Sequence, residues 1–208
     1  MNLSPGLAPK SMRTAVTLVT GATGAGKTTL ISRLLAARPA HERWAVLVND
    51  FGETALADAA GVRDGSVTVR EVGGCMCCTG RVQLRTALVL LLRVTRPQRL
   101  IIEASAAAAP AAIARLLHEP GLASAIALER TVCVVDPLQA TDARYNALEH
   151  YREQAQRADS VFLSKRDLRR AEDIRAARET LARFGVVRVD DAINVIPDAP
   201  AQVIRNSF

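Results

Sequence analysis

The sequence predicts an α/β fold in three layers, with a mainly parallel β-sheet flanked by helices. Three observations lead there. Short β-rich runs alternate with longer helical patterns along the chain. Several of those runs are continuously apolar, the pattern of strands buried on both faces of a parallel sheet. The first run also leads through a glycine-rich stretch directly into a helical pattern, a connection that places backbone N–H groups at a helix N-terminus.

In chain order, strands are expected at residues 15–20, 44–48, 67–72, 100–103, 131–135 and 160–163. Helices are expected at 27–37, 81–94, 111–118, a stretch around 143–156, and 170–184. Residues 186–189 and 194–196 are further strand candidates. The first 13 residues, with Pro5, Gly6 and Pro9, read as a flexible leader, which leaves 14–208 as a single domain. At 208 residues the chain is long enough to bury a sizeable core. Only 3% of it is aromatic against 49% hydrophobic, so that core must be built from Ala, Val, Leu and Ile.

Composition also excludes. No apolar run is long enough to cross a bilayer, and the N-terminus lacks the apolar core of a signal peptide. A soluble cytoplasmic protein with no membrane partner is expected. A net charge of +6 and a pI near 9.7 raise the question of nucleic acid. The arginines, however, are spread through helical segments such as 166–183 with no aromatics between them for base stacking. They read as solvated helix faces, and no nucleic-acid partner is expected. His41, His118 and His150 are scattered and read as surface residues, and Cys133 reads as part of the core.

The chemistry begins at Gly21-Ala22-Thr23-Gly24-Ala25-Gly26-Lys27-Thr28-Thr29, which fits G-x-x-x-x-G-K-[ST]. Strand before and helix after are the context that this phosphate loop, or P-loop, requires. Its glycines let backbone N–H groups converge on phosphate oxygens, and the helix end adds partial positive charge. Gly21, Gly24, Ala25, Gly26, Lys27, Thr28 and Thr29 are the predicted phosphate cradle. Lys27 is placed to neutralise the β and γ phosphates and Thr28 to reach Mg2+.

Ser164-Lys165-Arg166-Asp167, after the strand at 160–163, resembles the guanine-reading N-K-x-D turn. There a carboxylate accepts from N1–H and the 2-amino group of guanine, which adenine cannot supply. Ser164 stands where Asn is usual, so Ser164, Lys165 and Asp167 are the base-reading candidates; a polar helix-capping turn is the alternative. Asn49-Asp50-Phe51-Gly52-Glu53 follows the second strand, where a switch loop would lie. The Asp50 and Glu53 carboxylates suit magnesium or an attacking water, though the same residue types also make a simple turn. Gly73-Gly74-Cys75-Met76-Cys77-Cys78 lets three thiols converge in a tight loop. Thiolates suit zinc, bound at about 2.3 Å per sulfur. A redox-active pair or three inert buried thiols remain as alternatives.

The P-loop, N-D-F-G-E, G-G-C-M-C-C-T and S-K-R-D occur in the order found in the CobW-like GTPase metallochaperones, which this chain resembles from about residue 16 to 168. The run Glu153-Gln154-Ala155-Gln156-Arg157-Ala158-Asp159 resembles that family's sequence before its last strand. The resemblance implies GTP hydrolysis coupled to handling of zinc or a related divalent metal for a client metalloprotein. It makes Cys75, Cys77 and Cys78 zinc ligands, Thr28 and Asp50 magnesium ligands, and Lys27, Asp50, Glu53 and Glu103 the catalytic candidates. A homodimer across the nucleotide face is an expectation from the wider class.

Three departures are visible. The family's E-T-S-G-x-x-D-P reads Glu103-Ala104-Ser105-Ala106-Ala107-Ala108-Ala109-Pro110 here, so a phosphate-sensing glycine is Ala106 and an aspartate is Ala109. An alanine Cβ restricts backbone reorientation, so slow hydrolysis is expected. The family's acidic residue four places after the N-D-F-G-E glutamate is Ala57, with Asp58 next. The resemblance implies that the family usually continues into a smaller C-terminal domain, which is not expected within these 208 residues. A degenerate nucleotide-binding module acting as a regulatory or scaffold subunit is the alternative function.

Overall fold

The computed structural model describes residues 13–48, 56, 59, 61–62, 64–72, 79–190, 192–193 and 204–205. In chain order these form β1 (Thr14–Gly21), α1 (Lys27–Ala36), β2 (Trp44–Val48), β3 (Val67–Glu71), α2 (Thr79–Thr95), β4 (Arg99–Glu103), α3 (Pro110–Leu117) and β5 (Ile126–Val135). Three short helices follow, α4 (Pro137–Thr141), α5 (Ala143–Asn146) and α6 (Glu149–Gln156), then β6 (Ser160–Leu163) and a 3-10 turn at Arg166–Leu168. The chain continues through α7 (Ala171–Arg183) and β7 (Val189–Asp190) to a two-residue antiparallel pair, β8 (Ala192–Ile193) with β9 (Ile204–Arg205).

Among the described residues, seven strands make one sheet in the order β3-β2-β4-β1-β5-β6-β7. Its pairings are parallel throughout. The apolar runs are explained by what covers the sheet. Successive side chains of a strand face opposite ways. Val16, Leu18, Ala45, Leu47, Leu100 and Ile102 pack with Leu84, Leu88 and Leu91 of α2 and Ile113, Leu116 and Leu117 of α3. Val19, Val46, Ile101, Val132 and Val134 pack on the other face with Ile31, Leu34 and Leu35 of α1, Tyr151 of α6 and Leu181 of α7. Both faces are buried, so both parities of each central strand are apolar, and alternation disappears from the sequence.

The expected helix around 143–156 is corrected to two, α5 and α6, broken at Leu148, and a third short helix, α4, precedes them. Asp142 and Leu148 both adopt extended backbone (φ −75°, ψ 122° and φ −84°, ψ 114°). The Asp142 carboxylate accepts from the Arg144 amide at 2.8 Å, a local bond that competes with continuing the helix. β5 begins five residues before the expected strand, because 127–130 are partly exposed and carry Glu129 and Arg130. Of the two further strand candidates, 186–189 is realised only as the short β7, and 194–196 lies outside the described residues, as does most of the proposed leader. No helix among the described residues is long and apolar enough to cross a membrane.

Candidate functional site

Parallel pairing brings the C-terminal ends of β4, β1, β5 and β6 to one edge of the sheet, and the predicted phosphate and base residues gather there. Crevices outside the carboxyl ends of parallel strands are where such folds bind ligands. β1 lies between β4 and β5 and runs directly into the glycine loop.

Two glycines in this loop are obligatory for different reasons. Gly21 has φ +136°, and a Cβ there would lie 2.3 Å from the carbonyl oxygen of Val134 on β5. Gly26 caps α1 in the left-handed region (φ 98°, ψ 21°), with Ser164 on its other side 3.5 Å from where a Cβ would stand. Lys27, the first residue of α1, is almost fully buried, and its Nζ donates to the carbonyls of Gly21 and Ala22, each at 3.3 Å. The ammonium thus lies across the mouth of its own loop. The next residue, Thr28, donates its hydroxyl proton to Glu103 Oε1 at 2.7 Å. Glu103 ends β4 and is buried. This bond ties the start of α1 to the neighbouring strand and leaves the threonine oxygen's lone pairs available to a cation. Thr29 is exposed on the outer side of α1.

Ser164 follows β6 and is buried under the loop. Its Oγ lies 2.5 Å from the carbonyl oxygen of Ala25 and 3.3 Å from that of Val135. The loop-bracing role expected of Asn at this position is therefore carried by a hydroxyl. Lys165 has positive φ (49°), which turns the chain sharply into the 3-10 turn. Asp167 is exposed in that turn, and its carboxylate makes no hydrogen bond among the described residues. A cavity of about 220 Å³ opens between α1 and this turn, walled by Leu30, Phe162 and Leu168 with Gly26, Thr29 and Lys165 at its rim.

Residues not singled out from the sequence organise this edge. Asp136, directly after β5, is buried and caps α4 by accepting from the Leu138 amide at 3.1 Å. Arg169 donates to both of its oxygens (2.9 and 2.7 Å), and Lys165 Nζ lies 3.1 Å from Oδ2. Burial pushes this carboxyl's pKa upward. The Arg169 hydrogen bonds, the Leu138 amide and Lys165 outweigh burial and hold it below the ordinary aspartate range. Asp136 followed by Pro137 is a readable helix-start signal, an acidic N-cap with proline at the first helical position. On α4, Gln139 Nε2 donates to the Thr23 carbonyl at 2.9 Å and to the Tyr145 hydroxyl at 3.2 Å, pinning the tip of the glycine loop.

Asp50, Glu53, Cys75, Cys77 and Cys78, together with Ala57 and Asp58, lie outside the described residues. Among the described residues no group of three or more His, Cys, Asp or Glu side chains is placed to hold a metal ion. Cys133 is buried in β5 beneath the loop, and its burial pushes the thiol up to about 12. His41, His118 and His150 are exposed.

A strand, a glycine loop capped by a left-handed residue, a lysine folded into that loop and a threonine bonded to a carboxylate on the next strand define a P-loop nucleotide-binding domain. Residues 15–186 match the family model described as "CobW/HypB/UreG, nucleotide-binding domain". The chain belongs to that family. It is 39% identical over 155 residues to the zinc chaperone YeiR of Escherichia coli strain K12, covering 74% of this chain and 47% of YeiR. It is 33% identical over 178 residues to the zinc chaperone YjiA of the same organism, covering 82% of this chain and 54% of YjiA. Its fold superposes on a crystal structure of a Zn(II)-bound triple mutant of YjiA GTPase with a TM-score of 0.60 and 26% identity, over 86% of this chain and 56% of that one. The chain thus spans about half the length of these relatives.

Proposed function

We propose that this chain is a GTP-binding metal chaperone module that couples binding and hydrolysis of GTP to binding zinc, or a related divalent metal, and passing it to a client metalloprotein in the cytoplasm. The observation that carries the nucleotide half is the Lys27–Thr28–Glu103 arrangement at the carboxyl edge of the sheet. Gly21, Gly24, Ala25, Gly26, Lys27 and Thr29 would surround the phosphates. Thr28, with Asp50, would hold Mg2+, which when bound offsets phosphate charge and orients the β and γ groups. Asp167 and the apolar cavity beside Lys165 suit a guanine base, whose N1–H and amino group need an acceptor. The metal half is supported by relatives named as zinc chaperones and by Cys75, Cys77 and Cys78, three soft ligands in one short segment.

Coupling makes a reciprocal demand. If GTP changes metal affinity by some factor, metal must change GTP affinity by that same factor. The test is zinc competition against a chromogenic chelator on reduced protein, with and without Mg2+ and a non-hydrolysable GTP analogue. Tight zinc binding that needs all three cysteines and shifts with nucleotide is expected. Nucleotide binding with no zinc binding would favour the other reading, a degenerate module with a regulatory or scaffold role. Ala106 and Ala109 in the loop after β4 are the observation on that side.

A further inference from the structure

The loop from β4 to α3 is held from below by one side chain. Gln154 of α6 is fully buried, and its Nε2 donates to the carbonyls of Ala106 at 2.8 Å and Ala108 at 2.9 Å. Both amide protons are thereby used. The same group's Oε1 is buried with no hydrogen-bond partner among the described residues. Burying an amide here costs desolvation that packing alone does not require, because a methionine or leucine would fill similar space.

The held peptides have a defined orientation. A trans peptide is planar, so its N–H points away from its C=O. Pinning the Ala106 carbonyl onto Gln154 therefore turns the Ala107 N–H away from the core, and pinning Ala108 does the same for Ala109. The amides of Ser105, Ala106 and Ala107 make no hydrogen bond among the described residues. The loop starts immediately after Glu103, which already contacts Thr28 of the phosphate loop. Any movement of this loop in response to a γ-phosphate must break the bonds to Gln154 or carry α6 with it. α6 is anchored to the core by Tyr151 and Ala155, so it is not free to follow.

We propose that Gln154 is a positioning residue that latches the β4–α3 loop in its resting orientation and so opposes the GTP-bound arrangement, acting as a brake on turnover at sub-saturating GTP without contributing to GDP affinity. This rests on the GTP reading above. The Cβ of Ala106 already narrows the backbone's freedom; the latch adds two hydrogen bonds to what must be undone before the peptide can turn.

The first readout uses the unaltered chain. In the nucleotide-free protein the Gln154 side-chain NH2 pair, assigned by its loss in Gln154→Met, is protected from solvent exchange by at least tenfold over an exposed primary amide. Adding Mg2+ and a non-hydrolysable GTP analogue shifts that pair and removes the protection, whereas GDP leaves it in place. The second readout is kinetic: Gln154→Met, which keeps shape but has no donors, raises GTP turnover at least threefold at sub-saturating GTP, with GDP affinity changed less than twofold. An unprotected amide pair, a pair indifferent to the analogue, or turnover that falls or stays level overturns the latch. Failure of the wild-type chain to bind GTP would instead remove the GTP reading, and the nucleotide-free protection would still decide whether the hold exists.

Discussion

The two loops that leave β1 and β4 lie side by side at one edge of the sheet, yet they are secured in opposite ways. The phosphate loop is fastened from several directions: Gln139 on Thr23, Ser164 under Ala25, Lys27 across Gly21 and Ala22, and Val134 against Gly21. The β4–α3 loop has the local bond from Ala108 N to Ser105 O and, across the core, Gln154. A preformed cradle loses little freedom when it binds an anion. A loop that must respond to what is bound needs few bonds, because each one would have to break. On the function proposed above, the difference suits the first loop to binding and the second to response.

The sharpest way to break this comparison is to remove the fit of the phosphate loop to the sheet. Gly21→Ala places a Cβ against the Val134 carbonyl at a positive φ, and roughly 2–5 kcal/mol of stability should be lost. Chemical denaturation measures it; a wild-type midpoint would mean that the loop is much softer than its contacts imply. Next, Lys27→Ala should weaken GTP and GDP binding by about tenfold to a hundredfold, the worth of a charge-assisted contact to phosphate. Fluorescence titration of both nucleotides checks it.

Asp136→Asn tests the junction between the glycine loop and the turn that follows β6. It leaves Arg169 and Lys165 without their carboxylate, and about 2 kcal/mol is expected at neutral pH, reduced from the fully buried case because both cations reach solvent. The sign with pH follows from the depressed pKa. The folded carboxyl stays ionised where the unfolded chain already takes up protons, so its contribution is complete above the ordinary aspartate range. It is lost as pH falls through the folded value, and the gap between wild type and variant should close below about pH 4. No gap at neutral pH would mean that Asp136 acts as a cap alone, a role that asparagine fills equally well.

The smallest effect is expected at Ser164. Ser164→Ala removes the hydroxyl bond to the Ala25 carbonyl, worth about 1 kcal/mol, with a few-fold loss of nucleotide affinity. Ser164→Asn separates bracing from base recognition. If it tightens GTP over ATP, the serine limits guanine selectivity; unchanged selectivity assigns Ser164 to bracing only.

The strands, the three-layer arrangement and the glycine loop after β1 were legible because each is written locally. Two-sided burial makes the runs around Val46, Ile101 and Val134 continuously apolar. The glycine positions follow from backbone angles that other residues resist. The helix expected at 143–156 was misread at Leu148, where an apolar residue takes up extended backbone between α5 and α6 with no side-chain cap to mark the break.

By itself the sequence determined the sheet, the glycine loop after β1 and the turn that follows β6, since periodicity and residue type act over a few neighbouring positions. Only the tertiary structure decided which side chains hold that edge together. Gln154 reaches back 48 residues to Ala106, Gln139 reaches 116 to Thr23, and Ser164 reaches 139 to Ala25. The acceptor in each case is a main-chain carbonyl. Every residue carries one, so no sequence pattern names the partner. The choice is made when parallel pairing brings the carboxyl ends of β1, β4, β5 and β6 to the same edge.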